Sequence, residues 1–118
     1  SSYVDDLRDL GEMEKKRLLD LASGMDRIML LLLYETGLDV HHLIDLRVSD
    51  LDLDSGRLKT AVKGDIPLSV SLLSEIKDYL QSRPGQVYLM EGRCGKPVTS
   101  KWKRCILESL RLKAERRQ

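Results

Sequence analysis

Two sets of residues have the types and spacing that chemistry requires. The first is cationic: Lys63 in a Lys63–Gly64 turn, and the series Arg93, Lys96, Lys101, Lys103, Arg104, Arg111, Lys113, Arg116 and Arg117 toward the C-terminal end. Lysine and arginine gathered on one side of a fold can meet the phosphates of a nucleic acid. On a terminal helix the same residues also serve as an ordinary solvated face. The second set is Asp39, His41, His42 and Asp45. Asp39/His42 and His41/Asp45 stand at helical i,i+3 and i,i+4 spacing, which suits metal ligation, but the two pairs point in different directions. They read as solvent-facing polar residues, and no metal site is expected. Cys94 and Cys105 form neither a disulfide framework nor a CxxC pair and are expected to be free thiols. No glycine-rich phosphate loop, Ser/His/Asp set or paired-carboxylate site is present, and nothing implies a cofactor or a small-molecule substrate.

The charge is unevenly distributed along the 118 residues. Residues 1–56 carry 6 Lys/Arg against 13 Asp/Glu, and residues 57–118 carry 14 against 6, so balances of −7 and +8 hide within a net charge of +1. The composition, 42% hydrophobic and 33% charged, is that of one globular domain with a modest core. The longest apolar run, Ile28–Leu33, is far short of the roughly 20 residues of a membrane span. No basic-then-apolar leader opens the chain, so an intracellular, cytoplasmic setting without a membrane is expected. Ser1 in place of Met points to a processed or excised piece.

Residues 1–10 have no clear apolar pattern and read as a flexible tail or linker end, leaving 11–118 as the domain. Glu12 and Glu14 open a helix to about Ala22, which Ser23–Gly24 breaks. Met25–Thr36 is apolar nearly all round and is expected to be the buried centre, with Gly37 as its C-terminal cap. Val40–Leu46 reads as a short third helix and Asp50–Gly56 as a turn. Arg57–Val62 and Asp65–Leu68 form a hairpin around Lys63–Gly64, with Pro67 at an edge. Ser69 or Ser71 caps a helix to about Ser82, Val87–Leu89 suggests a further strand, and Lys101–Arg116 is a last helix with Trp102, Cys105, Ile106, Leu110 and Leu112 as apolar positions. The class is mainly α with a small antiparallel sheet.

Leu31–Leu32–Leu33–Tyr34–Glu35–Thr36–Gly37–Leu38 followed by Leu43–Ile44–Asp45–Leu46–Arg47–Val48–Ser49–Asp50–Leu51–Asp52 resembles the helix, TGLR turn and ELLxLRxxDID segment of tyrosine recombinases of the phage integrase family. The Lys–Gly turn, Ile66–Pro67–Leu68, the helix ending Tyr79–Leu80 and Gly95–Lys96–Pro97–Val98–Thr99 follow in the family's order. The resemblance spans roughly residues 10–115 and corresponds to the first half of the catalytic domain. It implies DNA recombination and integration, in which a tyrosine attacks a DNA phosphate, two arginines and a His or Trp stabilise the transition state, and a hairpin lysine protonates the leaving oxygen.

The active site carries over poorly. Asp39 occupies the first arginine position, His42 the usual Glu position, and Lys63, 24 residues after Asp39, the hairpin-lysine position. The Lys63–Pro67 loop is about four residues shorter than the usual GKGxKxRxVP form. No HxxR motif is present and no tyrosine lies beyond Tyr88, so no intact catalytic set exists, and Tyr34, Tyr79 and Tyr88 match core or strand positions. The expectation is an integrase-like domain with a degenerate active site that does not cleave DNA alone. It would bind duplex DNA through Lys63, Arg93, Lys96, Lys101, Lys103 and Arg104. Another recombinase-fold protein or its own missing half is a further candidate partner, and the alternatives are a protein-interaction module and a fragment of a longer active recombinase.

Overall fold

The structure, a computed structural model, describes residues 7–92, 95, 98 and 101–116, without the side chains of residues 103 and 114. Its centre is α2 (Gly24–Thr36), whose Ile28, Met29, Leu30, Leu32 and Leu33 are all buried. A helix apolar on every side must be enclosed, and the other elements do this. Gly24, at φ +58°, breaks α2 from α1 (Glu12–Leu21), which buries Leu18 and Leu21. Amphipathic α4 (Val70–Gln81) buries Leu72, Ile76 and Tyr79. Its N-cap Ser69 accepts from Leu72 N (3.2 Å), while Glu35 on α2 accepts from Ser69 N (2.8 Å) and Ser69 Oγ (2.6 Å). One guanidinium ties three helices together: Arg27 on α2 donates to both Glu75 oxygens on α4 (2.7 and 3.0 Å) and to Leu19 O on α1 (2.6 Å).

The sheet has three antiparallel strands in the order β1 (Leu51–Asp52), β2 (Arg57–Thr60), β3 (Gly64–Pro67). Its register aligns Leu51, Leu58 and Ile66 in one cross-strand row. Leu58, 0% exposed, anchors that row in the core between its half-buried neighbours. Pro67 lies on outer strand β3, where a missing N–H breaks no ladder.

Several local expectations are corrected. The Asp50–Gly56 stretch is not all turn, because Leu51–Asp52 pairs with Arg57–Leu58. The hairpin turn is Ala61–Lys63, and Gly64, at φ +68°, already opens β3. The third helix, α3, ends at Leu43 rather than Leu46. The following backbone is taken by a distant segment: Val48 N donates to Val87 O (2.8 Å) and Leu89 N to Leu46 O (3.0 Å). Val87–Leu89 therefore meets the chain as a single Arg47–Tyr88 bridge and not as a strand of the sheet. Packing also starts ahead of Gly11, where the sequence suggested a tail: Leu7 is 2% exposed within the core.

α5 (Trp102–Arg116) buries Trp102, Ile106 and Leu110, an i,i+4,i+8 stripe. Cys105 is exposed and Leu112 is 55% exposed, so neither belongs to the apolar face expected of them. No helix among the described residues is long and apolar enough to cross a membrane. Trp102 Nε1 donates to Asp26 Oδ1 at 2.9 Å, fastening α5 to the first turn of α2. Trp102→Phe retains ring burial but loses this bond to a charged acceptor. Urea unfolding is expected to show a loss of about 1–2 kcal/mol with an unchanged m-value; an unchanged midpoint would mean the bond contributes nothing.

Candidate nucleic-acid interface

The residues at the recombinase-like positions gather where α2 ends. Thr36 closes the last turn twice: its hydroxyl donates to Leu32 O (2.6 Å) and accepts from Leu38 N (3.1 Å). Gly37, at φ +71°, then reverses the chain in the left-handed region, its N–H returning to Leu33 O (3.1 Å). A helix end leaves carbonyls without intrahelical donors. Here two cations take them: Lys63 Nζ donates to Thr36 O (2.9 Å) and Arg8 Nη1 to Gly37 O (3.0 Å). Cations at a helix C-terminus also complement its partial negative charge. A Cβ on Gly37 would stand 3.2 Å from Lys63 Nζ, so the glycine serves both the reversal and the approach of the lysine.

Lys63 is placed by the hairpin. The Thr60 hydroxyl donates to Gly64 O (2.8 Å) and accepts from Lys63 N (2.9 Å), which fixes the three-residue turn at its neck. Despite its shortness, the turn brings the ammonium back to α2.

Asp39 follows the turn as N-cap of α3 (Val40–Leu43), its Oδ1 accepting from Val40 N at 2.6 Å. Its other oxygen lies 3.3 Å from His41 Nδ1. The His41 and His42 rings pack at 4.2 Å between centroids. His42 turns instead to a cleft of about 390 Å³ that it shares with Asp45, Asp50, Lys59 and the hairpin segment 60–62. No three His, Cys, Asp or Glu residues among the described ones are grouped to hold a metal ion.

Lys63, Asp39 and His42 are thus brought to one turn. Lys101 and Arg104 are exposed on or beside α5, whose start is fixed to Asp26. Asp26 and Thr36 lie at opposite ends of α2, about 15 Å apart at the helical rise. Arg93, Lys96 and the Lys103 side chain lie outside the described residues. Along α5, exposed Arg104, Glu108, Arg111 and Glu115 alternate in sign at near-i,i+4 spacing, so this face is not a stripe of one charge. Arg8 is the residue that sequence reasoning missed. Leu7 beside it was the available signal, an isolated apolar residue in a stretch without periodicity.

The tyrosines are occupied otherwise. Tyr79 is buried and donates to Leu89 O (3.1 Å), with Arg83 4.8 Å from its ring centroid. Tyr88 is half-buried under the Arg47 guanidinium, 5.1 Å from the ring centroid. Tyr34 has a buried hydroxyl without a hydrogen-bond partner among the described residues. Burial, and secondarily the negative charge of Glu14, push its pKa up to about 12, which opposes formation of a phenolate.

The sequence pattern of the phage integrase family matches residues 8–118. Tyrosine recombinase XerA of Pyrococcus furiosus is 37% identical over 84 residues, covering 64% of this chain and 29% of that protein. Tyrosine recombinase XerC of Staphylococcus carnosus is 33% identical over 94 residues, covering 72% of this chain and 32% of that protein. A crystal structure of XerA recombinase shares the fold with a TM-score of 0.75 at 23% identity, covering 90% of this chain and 42% of that one. The chain therefore spans about a third of the length of these two curated relatives.

The environment of Tyr34 gives a signed pH prediction. Its folded pKa lies above the ordinary value of 10.0, so the neutral phenol is favoured in the folded state. Stability linked to it is fully present below pH 10 and is lost as pH rises from 10.0 toward about 12. Tyr34→Phe should flatten that alkaline loss in denaturation midpoints while leaving the midpoint at pH 7 unchanged or slightly raised. An alkaline slope identical to the parent's would contradict the assignment.

Proposed function

The chain belongs to the phage integrase family, and from that premise we propose that it is a duplex-DNA-binding domain that does not cleave DNA by itself. The observation carrying this reading is the pairing at the end of α2. The hairpin lysine is held within reach of the turn, while the position that resembles the family's first arginine holds a carboxylate used as a local cap. Lys63 offers a phosphate a point charge with further N–H donors, because its bond to Thr36 O uses one of three. Exposed Lys101 and Arg104 add charge elsewhere on the surface. Such contacts orient a protein on the duplex without reading sequence.

The non-catalytic part follows from charge. Transition-state stabilisation in phosphoryl transfer needs cations at the developing negative oxygens. Asp39 supplies the opposite sign. At about 4 Å a unit charge pair is worth roughly 1 kcal/mol in water and about 4 kcal/mol at an effective dielectric near 20. With the Asp39 side chain 37% exposed, the lower figure applies. No tyrosine among the described residues combines exposure with a neighbouring activating cation: Tyr34, Tyr79 and Tyr88 each face a cation but are wholly or partly enclosed, and Tyr34 resists ionisation.

Three measurements test the reading. Affinity for a short duplex should fall steeply between about 50 and 200 mM salt, and Lys63→Ala should lower the log–log slope by about 0.9. Salt-independent affinity would exclude the phosphate mechanism, and no binding at low salt would favour a module that docks on another recombinase-fold protein. Asp39→Asn retains an N-cap acceptor while removing the charge, so it should raise affinity about fivefold with little change in stability; unchanged affinity would place Asp39 away from the DNA. Incubation with a nicked trapping duplex should give no adduct that survives denaturing electrophoresis, and a stable adduct would overturn the non-catalytic assignment.

A further inference from the structure

We propose that Arg8 is a backbone-phosphate contact on the same DNA face, supplying beside Lys63 the guanidinium that position 39 lacks. This inference rests on the DNA-binding reading above and extends it to a residue outside every recombinase-like motif in the chain.

Three observations carry it. Arg8 and Lys63 reach α2 from opposite directions in sequence, yet they bond the carbonyls of consecutive residues, Gly37 and Thr36, at 3.0 and 2.9 Å. Their anchor points are neighbouring peptide units with Cα atoms about 3.8 Å apart, so both cations stand at one turn. Second, Arg8 is held there by the fold: the 3-10 turn at residues 7–9 is pinned by Leu7, 2% exposed in the core, while Arg8 is exposed. Third, neither cation is ion-paired with a carboxylate among the described residues, and Asp39 spends its oxygens on Val40 N and His41.

A guanidinium has five N–H donors in a planar fork. Gly37 O engages one through Nη1, and the rest of the fork is suited to bidentate contact with phosphate oxygens. The bond to the helix end restricts the arginine's rotamers before any ligand arrives, which lowers the ordering cost of binding. The two cations offset the Asp39 carboxylate beside them, so the turn can attract a phosphate despite this acidic residue.

The test compares duplex affinity and its salt slope for the parent chain, Arg8→Ala, Arg8→Lys and Lys77→Ala, with thermal melts of each. Lys77 is exposed on α4 and controls for the loss of one positive charge. Arg8→Ala should weaken binding roughly 5- to 10-fold at about 50 mM salt and reduce the slope by about 0.9. Arg8→Lys should recover the slope but only part of the affinity, because an ammonium cannot form the fork. Lys77→Ala should leave affinity within about twofold of the parent's. If Arg8→Ala lowers only the melting temperature, or if Lys77→Ala weakens binding equally, the assignment of Arg8 is wrong while DNA binding stands. Absence of parental binding at low salt would instead overturn the DNA reading itself.

Discussion

A helix that is apolar on every face leaves its own ends as the only places where polar chemistry can happen. α2 is that helix, and burial of Met29, Leu30, Leu32 and Leu33 forces α1, α4, α5 and the sheet to close around it. Its C-terminal carbonyls must then find donors close to the core boundary, because an unpaired buried carbonyl costs about as much as a lost hydrogen bond. The chain meets this demand with the Thr36 hydroxyl, the left-handed turn at Gly37 and the hairpin ammonium of Lys63, and the exposed Gly37 carbonyl takes the guanidinium of Arg8. The constraint that completes the fold is therefore the one that assembles cations at a single turn.

Four carboxylates of the acidic first half are spent on the backbone. Asp39 accepts from Val40 N, Asp50 from Arg47 N, and Asp52 from Asp54 N and Ser55 N. The Ser55 backbone bond, followed by its side chain, holds the Asp52 carboxyl below its ordinary range. Glu35 caps the start of α4 through Ser69. Part of the −7 balance of residues 1–56 thus belongs to turns and caps, so the bare sum is a poor guide to surface charge. The excess in the second half is equally misleading on α5, where Glu108 and Glu115 interleave with the arginines.

What the sequence makes legible is whatever local chemistry decides. The all-round apolar run of α2, the glycine that ends it, the serine that caps α4 and the stripe Leu72, Ile76, Tyr79 are each fixed by residues within a few positions of one another. What it conceals depends on distant partners. α3 stops at Leu43 because Leu46 and Val48 bond with Leu89 and Val87 some forty residues away. β1 is two residues long, and only Arg57–Leu58 makes it a strand. At the candidate site, the Lys–Gly turn flags Lys63, but the direction of its ammonium follows from the Thr60 latch and the proximity of Gly37. Arg8 carries no local signal of its own; its place is set by the burial of Leu7.

In the proposed DNA-binding reading, folding and phosphate recognition compete for one residue, Asp39. The four-residue helix α3 is too short to be stable by propagation, so its start depends on tertiary packing and on a cap. An aspartate N-cap is worth about 0.5–2 kcal/mol, comparable with the roughly 1 kcal/mol that a partly exposed opposing charge takes from phosphate binding. An arginine at this position provides the phosphate contact but has no side-chain acceptor for Val40 N. The aspartate caps α3 and also lies beside His41. Under the proposed reading the cations are Lys63 from the hairpin and Arg8 from outside the motifs, and the α2 carbonyls they bond precede Asp39 in the same turn. An aspartate at the centre is in this way compatible with two cations bonded to the carbonyls just before it.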